Sequence, residues 1–279
     1  SGLNLAMMKD VPLSDHETWL KFIYQLQPED LPNATAESFQ SPAVGDLSPA
    51  FAVGDGCDSV GGTYPLTVEF NGEQVNPVTT RYCSNVVLAG TFNADLYAGR
   101  GTMMGEDGMW SGYMINYNLG NDLHRTPFGG RNFEYMGEDP YLASRMVVPY
   151  VQGVQQNGVA ACVKHYALNN QEINRHTTNV HLSDRALYEI YLPAFKAAVQ
   201  EGGAWAIMGA YNLYSFSEDT DSGKLYKTQH ACHNKRLLQD ILRKEWGFDG
   251  VVVSDWGGVH DTFQAISNGL DMEFGSWTN

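Results

Sequence analysis

From residue 50 onward, short apolar runs alternate with amphipathic stretches. Runs such as Val159–Val163 and Val251–Val253 lack polar alternation, which is typical of strands buried on both faces. Between such runs, apolar residues recur at helical spacing, as at Val147, Val151 and Val154. The predicted strands are Ala50–Val53, Tyr113–Tyr117, Val159–Val163, Trp205–Met208, Val251–Val253 and Leu270–Phe274. The predicted helices are Ser84–Met104, Pro140–Gln156, one from Ser183 to Gly202, one from Asn234 to Gly247, and His260–Ser267.

This order of strands and helices predicts an α/β protein with a parallel sheet covered by helices. A (β/α)8 barrel of the TIM-like type and an open doubly wound sheet both fit the alternation. No glycine-rich phosphate loop opens a predicted helix, which argues against a nucleotide-binding sheet. Residues 1–49 are irregular and rich in Pro, Ser and Asp, with one helical patch over Glu17–Leu26. We therefore predict an irregular segment over residues 1–49 and one barrel domain over residues 50–279.

Charge and composition exclude several classes of partner. The formal net charge is −15, with only 17 Lys and Arg residues, so the electrostatic field would repel nucleic acid and anionic membranes. No apolar run reaches the 18 residues that suggest a membrane helix. A neutral ligand is compatible with this charge. The sequence gives no compartment, although a periplasmic or secreted location is favoured over a cytoplasmic one.

The cysteines and histidines do not form a recognisable metal motif. Cys57, Cys83, Cys162 and Cys232 are far apart and lack metal-binding spacing. We expect Cys162, which lies in an apolar run, to be a buried free thiol. Pairing of Cys57 with Cys83 stays open. No His pair at ligand spacing lies on a strand, so we expect neither a metal nor another cofactor.

Polar residues arrive at the ends of several predicted strands. They are Asp55 after the first strand, Lys164 and His165 after the third, Tyr211 and Asn212 near the fourth, and Asp255 and Trp256 after the fifth. Barrels build their active sites at this face, from the ends of several strands. Convergence of several ionisable residues on one face therefore predicts a site.

Taken singly, the same residues have ordinary structural explanations. Asp55 and Asp255 are typical of turns or helix caps. Arg131 could simply pair with a nearby carboxylate such as Glu134, Glu138 or Asp139. Met208 and Tyr211 are more typical of a core or a pocket wall than of chemistry.

The sequence resembles the N-terminal barrel portion of glycoside hydrolase family 3 β-glucosidases. The segments that carry the resemblance, in the order of the family, are Leu123–Tyr135, Gly137–Pro140, Val159–Ala167, Asn169–Glu172, Glu189–Phe195, Met208–Asn212 and Phe248–Gly257. Together they cover residues 120–275 densely, whereas residues 1–110 match only loosely.

The resemblance implies a retaining exo-β-glucosidase that removes terminal, non-reducing β-D-glucosyl residues. It implies that Asp255 is the nucleophile and that Trp256 forms a wall of the sugar subsite. The residues that it implies for binding sugar hydroxyls or completing the pocket are Arg131, Lys164, His165, Asp55, Met208 and Tyr211. Cations beside Asp255 would favour its ionised form, which a nucleophile requires.

A retaining mechanism also needs a second carboxyl group as acid and base. In family 3 β-glucosidases it lies in a following α/β domain, which this chain lacks, so we expect that C-terminal domain of the same enzyme as a partner. The histidine acid of the N-acetylglucosaminidase branch is absent, because Lys164-His165 continues as Tyr166-Ala167. Other local carboxyls are weaker candidates: Glu172, Glu218, Asp219 and Asp221.

Two departures from the family pattern leave alternatives open. The family has Asp-Gly-Pro followed by an Arg, whereas this chain has Asp55-Gly56-Cys57 and its next Arg is Arg81. Cleavage of β-xylosides, α-arabinosides or deoxysugar glycosides is therefore an alternative, as is a non-catalytic glycan-binding barrel. The chain ends at Asn279 without a closing helix, so we expect an incomplete or collapsed barrel. A homodimer stays open.

Overall fold

The centre of the protein is a curled sheet of five parallel strands. The computed structural model describes residues 1–37, 40–41, 43–45, 49–61, 67–220 and 223–275. The five strands are β1 (Phe51–Gly54), β2 (Tyr113–Gly120), β3 (Ala160–Tyr166), β4 (Ala206–Gly209) and β5 (Val251–Ser254). They are adjacent in chain order, and each neighbouring pair is parallel. This arrangement confirms the predicted α/β class.

Short strands extend this sheet at both edges. Gln40–Ser41 pairs with β1 in antiparallel fashion. At the other edge, Met272 forms a parallel bridge to Val253, and the adjoining strand Glu273–Phe274 pairs with Ala36–Glu37. The division of the chain at residue 49 stays a prediction, but residues before it contribute strands to both edges.

The remaining elements lie outside this sheet. Helical segments span Leu5–Met8, His16–Ile23, Pro28–Asp30, Leu31–Thr35, Asn85–Ala89, Ala94–Ser111, Pro140–Gln155, Asp184–Ala186, Leu187–Tyr191, Pro193–Gln200, Ala231–His233, Arg236–Glu245 and Thr262–Ser267. The further strands are Val68–Phe70 paired with Glu73–Val75, and Leu213–Thr220 paired with Gly223–His230 and Asn179–His181.

The apolar parts of the strands bury side chains on two sides, which explains why runs such as Val251–Val253 lack polar alternation. Val163, Ile207 and Val252 pack outward in the large core between the sheet and its helices. The alternate positions point into the hollow of the curled sheet, where Cys162 and Val253 belong to a second, smaller cluster. A strand with two buried faces has no position for a solvated side chain.

Several predicted boundaries are wrong for identifiable reasons. The helix predicted over Ser84–Met104 is two helices, because the chain turns at Gly90–Asn93 and the Asn93 side chain caps the second one. The helix expected from Ser183 is capped by that residue, as predicted, but it is interrupted before Pro193, whose ring nitrogen has no hydrogen to donate.

The antiparallel pair Leu213–Thr220 and Gly223–His230 was not predicted. Its first strand does show a period of two, since Tyr214 and Phe216 are buried while their neighbours are more exposed. Strand β3 is also longer than predicted: it continues through Lys164 and His165 to Tyr166. A strand can hold these two polar residues because their side chains find buried partners, described below.

Close contact between two helices supports the sheet from outside. Glycines let the Ala94–Ser111 and Pro140–Gln155 helices approach: a Cβ atom on Gly101 would lie 2.5 Å from the Tyr150 carbonyl oxygen, and one on Gly153 would lie 2.7 Å from the Ala98 oxygen. Both neighbours are backbone atoms, which cannot move aside without shifting a helix.

We predict that Gly101→Ala destabilises the protein by about 1–3 kcal/mol, the usual cost of overpacking a tight interface. Gly99→Ala is a matched control on the same helix, because a Cβ there meets nothing within 4 Å. It should be neutral or stabilising by up to about 1 kcal/mol, since alanine favours helix over glycine. Chemical denaturation measures both; equal effects would contradict the packing account.

Candidate active site

Ionisable side chains from the ends of four strands and the loops that follow them meet where the parallel strands end. Asp55 follows β1, Lys164 and His165 occupy the end of β3, and Asp255 follows β5. Arg131 lies on the long loop after β2. In a curled parallel sheet these ends face one another, which is the arrangement that active sites of barrel enzymes use.

Lys164 connects two sides of this cluster. Its ammonium nitrogen lies 2.8 Å from Asp55 Oδ1 and 3.1 Å from Glu134 Oε1, and its side chain is only 3% exposed. Burial alone would lower the pKa of Lys164, but the carboxylates of Asp55 and Glu134 raise it above the usual value. Lys164 is therefore a permanent cation in the interior.

Glu134 pairs with two cations at once. Its second oxygen, Oε2, accepts a hydrogen bond from Arg131 Nε at 2.6 Å, and the Glu134 side chain is 5% exposed. Although burial opposes it, Lys164 and Arg131 lower the pKa of Glu134 to about 2. The sequence had suggested Glu134 only as one possible partner of Arg131. Its second contact, with Lys164, is what makes it part of the site.

The turn that carries Asp55 is fixed by buried polar side chains. Arg100, on the Ala94–Ser111 helix, donates to the Cys57 carbonyl oxygen. Asn118, on β2, donates to the carbonyl oxygens of Gly56 and Ser59. These bonds hold the Asp55 carboxylate against Lys164 although the turn has no regular secondary structure.

Asp255 lies deep in the site, with 8% of its surface exposed. Its Oδ1 accepts a hydrogen bond from its neighbour's backbone nitrogen, Trp256 N, at 2.7 Å. Its Oδ2 lies 3.4 Å from His165 Nε2. Burial raises the pKa of Asp255, and this effect exceeds the lowering by Arg131, Lys164, Trp256 and Tyr211. The cations favour the charged form, as expected from the sequence, but they do not cancel the desolvation.

His165 lies between two carboxylates. One ring nitrogen faces Asp255, and the other, Nδ1, is 3.5 Å from Asp122 Oδ2 and 3.2 Å from the Tyr135 hydroxyl. Burial, and then the cations Arg131 and Lys164, lower the pKa of His165 well below its ordinary value. The imidazole is therefore neutral at physiological pH.

Asp122 was missed by the sequence reasoning. It lies two residues after the end of β2, and its Oδ2 accepts from the backbone nitrogen of His165 at 3.0 Å. Burial raises the pKa of Asp122 to about 7, although backbone hydrogen bonds from His165, Asn169 and Leu168 oppose the shift. The position of Asp122 at a strand end was a signal like that of Asp55, but the sequence could not show that its partner is backbone.

Tyr211 forms one wall of the site and is almost fully buried. Its hydroxyl donates to the Trp256 carbonyl oxygen at 2.8 Å and interacts with Asp255. The guanidinium carbon of Arg175 lies 4.1 Å from the centre of its ring, and the His176 ring centre lies 4.3 Å away. Arg175 was also missed by the sequence reasoning. It comes from the loop after β3, far from any predicted strand end.

Met208 and Trp256 are close to the site but differ in environment. Met208 lies inside β4 and belongs to the apolar cluster in the hollow of the sheet, against which Trp256 packs. The Trp256 ring also contacts Phe274 edge-on, with 5.0 Å between ring centres. The structure thus places Met208 beneath the polar residues and Trp256 beside Asp255.

Of the other carboxyl residues named from the sequence as weaker acid candidates, one pairs with Arg175 and the side chains of the rest lie outside the described part. Glu172 binds Arg175 at 2.7 Å and accepts from Asn169. Asp221 and the side chains of Glu218 and Asp219 lie outside the described residues. All four cysteines are free thiols, and Cys162 is buried as expected.

Neither a metal cluster nor a membrane helix is found in the described part of the chain. Among those residues, no group of three or more His, Cys, Asp and Glu side chains could hold a metal ion. Their helices also lack the combination of length and apolarity that crossing a bilayer requires.

Known proteins are similar to this chain in both sequence and fold. The sequence matches the glycosyl hydrolase family 3 N-terminal domain over residues 65–272. The β-glucosidase BoGH3A of Bacteroides ovatus is 55% identical over 204 residues, covering 73% of this chain and 26% of that protein. The exo-α-(1→6)-L-arabinopyranosidase of Bifidobacterium longum is 40% identical over 186 residues, covering 67% of this chain and 23% of that protein.

A solved structure extends the likeness to the fold. β-Glucosidase 3B of Thermotoga neapolitana superposes with a TM-score of 0.79 at 30% identity, covering 92% of this chain and 36% of that chain. This confirms the predicted TIM-like barrel in an incomplete form. The chain spans about a quarter of the length of the curated relatives that it matches. It belongs to glycosyl hydrolase family 3, as that family's N-terminal domain.

Proposed function

We propose that this domain supplies the nucleophile and the sugar subsite of a retaining exo-β-glucosidase. The observation that carries the proposal is the position of Asp255, whose free oxygen faces His165 in a cluster with Lys164 and Arg131. A retaining glycosidase needs such a carboxylate to attack the anomeric carbon. The name of the Bacteroides ovatus relative, a β-glucosidase, supports this choice of reaction.

The polar cluster suits a ligand rich in hydroxyl groups. Asp55 offers acceptors, Lys164 and Arg131 offer donors, and all three are held by fixed partners. A site built from fixed donors and acceptors rejects sugars that lack the matching hydroxyls. In the proposal these three residues bind the terminal sugar, His165 lines the pocket beside Asp255, and Tyr211, Trp256 and Met208 form its walls.

Three carboxyl groups described near Asp255 are unsuited to the role of acid and base. Glu134 is bound to two cations, and its pKa of about 2 leaves it no proton to donate at neutral pH. Asp122 is enclosed behind His165 and bound by backbone N–H groups. Asp55 is paired with Lys164. We propose that a C-terminal α/β domain of the same enzyme supplies the missing carboxyl group.

A related activity, α-L-arabinopyranosidase, is the second candidate. A relative with that name is 40% identical, and Cys57 stands here where the family resemblance leads one to expect proline. Comparison of kcat/KM for nitrophenyl β-glucoside, β-xyloside and α-L-arabinopyranoside would decide between them. If kcat/KM for the arabinoside exceeded that for the glucoside by about tenfold or more, arabinose would take the place of glucose in the proposal. Contacts specific for single hydroxyls discriminate at least this strongly.

We predict that a 2-fluoro-β-glucoside with an activated leaving group labels Asp255. The longest natural polypeptide that includes this chain would be treated with the reagent, digested, and mapped by mass spectrometry. Asp255→Asn should prevent labelling and turnover, because an amide is too weak a nucleophile. The control is Asp249→Asn, which changes an exposed aspartate before β5. In that variant the reagent should still label Asp255.

A label on another residue would remove Asp255 from the mechanism. Sugar binding by calorimetry without labelling or turnover, even with good leaving groups, would instead favour a glycan-binding protein.

We also predict that Glu134→Gln destabilises the protein at pH 7 by roughly 2 kcal/mol, the order expected for hydrogen bonds to charged groups. Because the folded pKa of Glu134 lies below its unfolded value, this contribution is complete above about pH 4.5 and disappears as the pH falls towards about 2. The difference between variant and parent should therefore shrink between pH 5 and pH 3 in denaturant unfolding.

Glu201→Gln is the matched control, because it breaks an exposed pair with Arg145 at 3.4 Å. Such surface pairs contribute about 0–1 kcal/mol. An effect of Glu134→Gln no larger than that of the control, or one independent of pH, would show that Glu134 does not anchor Arg131 and Lys164.

A further inference from the structure

The protonation of His165 can be deduced from its neighbours. A neutral imidazole carries one proton, on either Nδ1 or Nε2. His165 Nε2 faces Asp255 Oδ2 at 3.4 Å, and both atoms are buried and make no hydrogen bond with the described residues. A carboxylate can only accept. Repulsion between two lone pairs is avoided when the proton lies on Nε2.

The other nitrogen has a partner that can donate. The Tyr135 hydroxyl lies 3.2 Å from Nδ1. The Tyr135 ring also packs edge-on against the imidazole, with 6.1 Å between ring centres. A tyrosine hydroxyl can donate to an unprotonated Nδ1, which leaves the imidazole proton on Nε2, where it faces Asp255.

A competing arrangement explains why the hydroxyl matters. Asp122 Oδ2 lies 3.5 Å from Nδ1, so a proton on Nδ1 would be attracted to it. Asp122 has less need of that proton, because backbone N–H groups of His165, Leu168 and Asn169 already bond to it. The Tyr135 hydroxyl has an alternative acceptor, the Asn169 carbonyl oxygen at 3.3 Å. With Nδ1 protonated, however, an unprotonated Nε2 would face the Asp255 carboxylate, so a Tyr135 hydroxyl that donates to Nδ1 favours the tautomer with the proton on Nε2.

We infer that Tyr135 is a positioning residue, whose hydroxyl holds His165 in the tautomer that presents its Nε2–H to Asp255. The inference rests on the proposed role of Asp255 as nucleophile for its consequence in catalysis. The N–H group stabilises the ionised carboxylate before attack and orients its free oxygen. Such second-layer hydrogen bonds commonly fix the tautomer of a functional histidine.

Any effect of pH on catalysis also depends on the charges around His165 and Asp255. The titratable and charged groups that face it come from several elements: Asp55 after β1; Asp122, Arg131, Glu134 and Tyr135 after β2; Lys164 in β3; Glu172 and Arg175 in the loop that follows; and Tyr211 after β4. Replacing one hydroxyl by hydrogen leaves all these charges in place, so a tyrosine-to-phenylalanine change isolates the tautomer.

Histidine ¹⁵N NMR tests the tautomer directly, in the longest natural polypeptide that includes this chain. With ¹⁵N-labelled histidine, the His165 signals are identified by their loss in His165→Gln. The parent should show Nε2 protonated and Nδ1 unprotonated, and Tyr135→Phe should shift the population toward a protonated Nδ1. A protonated Nδ1 in the parent would overturn the inference, even if Tyr135→Phe failed to fold.

Kinetics test the consequence. In Tyr135→Phe the tautomer whose Nε2–H faces Asp255 becomes less populated, so the pKa of Asp255 rises and the acid limb of kcat/KM should move up by about one pH unit. At pH values on that limb we expect a loss of about tenfold in kcat/KM, which is what a shift of one pH unit implies. In a His165→Gln background, which has no tautomers, the added Tyr135→Phe change should leave the limb where it is.

Tyr150→Phe is the matched control. It removes another buried hydroxyl, which bonds to Met104 Sδ at 2.9 Å between the two supporting helices. It should change stability but not the acid limb. An unmoved limb in Tyr135→Phe would overturn the inference while Asp255 is still labelled by the fluoro-sugar. If the NMR showed the expected tautomer but the fluoro-sugar never labelled Asp255, the proposed function would be refuted instead.

Discussion

The requirement that every buried charge be paired organises the concave end of this protein. Lys164 is almost fully buried and would be unstable alone, because desolvation of an isolated ammonium costs several kcal/mol. It is matched by Asp55 and Glu134, and Glu134 in turn holds Arg131. Residues from three separate loops and strands are thereby fixed relative to one another. The geometry of the proposed sugar site follows from this pairing.

The same principle explains why the elements outside the site matter to it. The Ala94–Ser111 helix is packed closely on its neighbour through glycines, and from it Arg100 reaches the turn next to Asp55. β2 supplies Asn118 to the same turn and ends at Asp122, which binds the backbone of His165. Helices and strands thus fix the positions of polar groups that belong to irregular loops. A site that must hold several donors within fractions of an ångström needs such support.

The fold was predictable from the sequence where one physical cause dominated. Burial of strands on both faces produces runs such as Val251–Val253, and these located the strands and the position of Asp255. The C-terminal end of β3 was predicted too early because Lys164 and His165 look like solvent-exposed residues. In the structure they are buried by partners distant in the chain. Asp122 and Tyr135 were missed for the same reason. Their importance depends on three-dimensional contacts with His165 that no local pattern records.

Membership in glycosyl hydrolase family 3 gives these contacts a chemical context. The central claim is that Asp55, Arg131, Lys164, His165 and Asp255 form one sugar site. A crystal structure of the longest natural form with bound glucose tests it most directly. We predict sugar hydroxyls bonded to Asp55, Lys164 and Arg131, with the anomeric carbon within about 3.5 Å of an Asp255 oxygen. Glucose bound elsewhere, or bound with its anomeric carbon turned away from Asp255, would contradict the account.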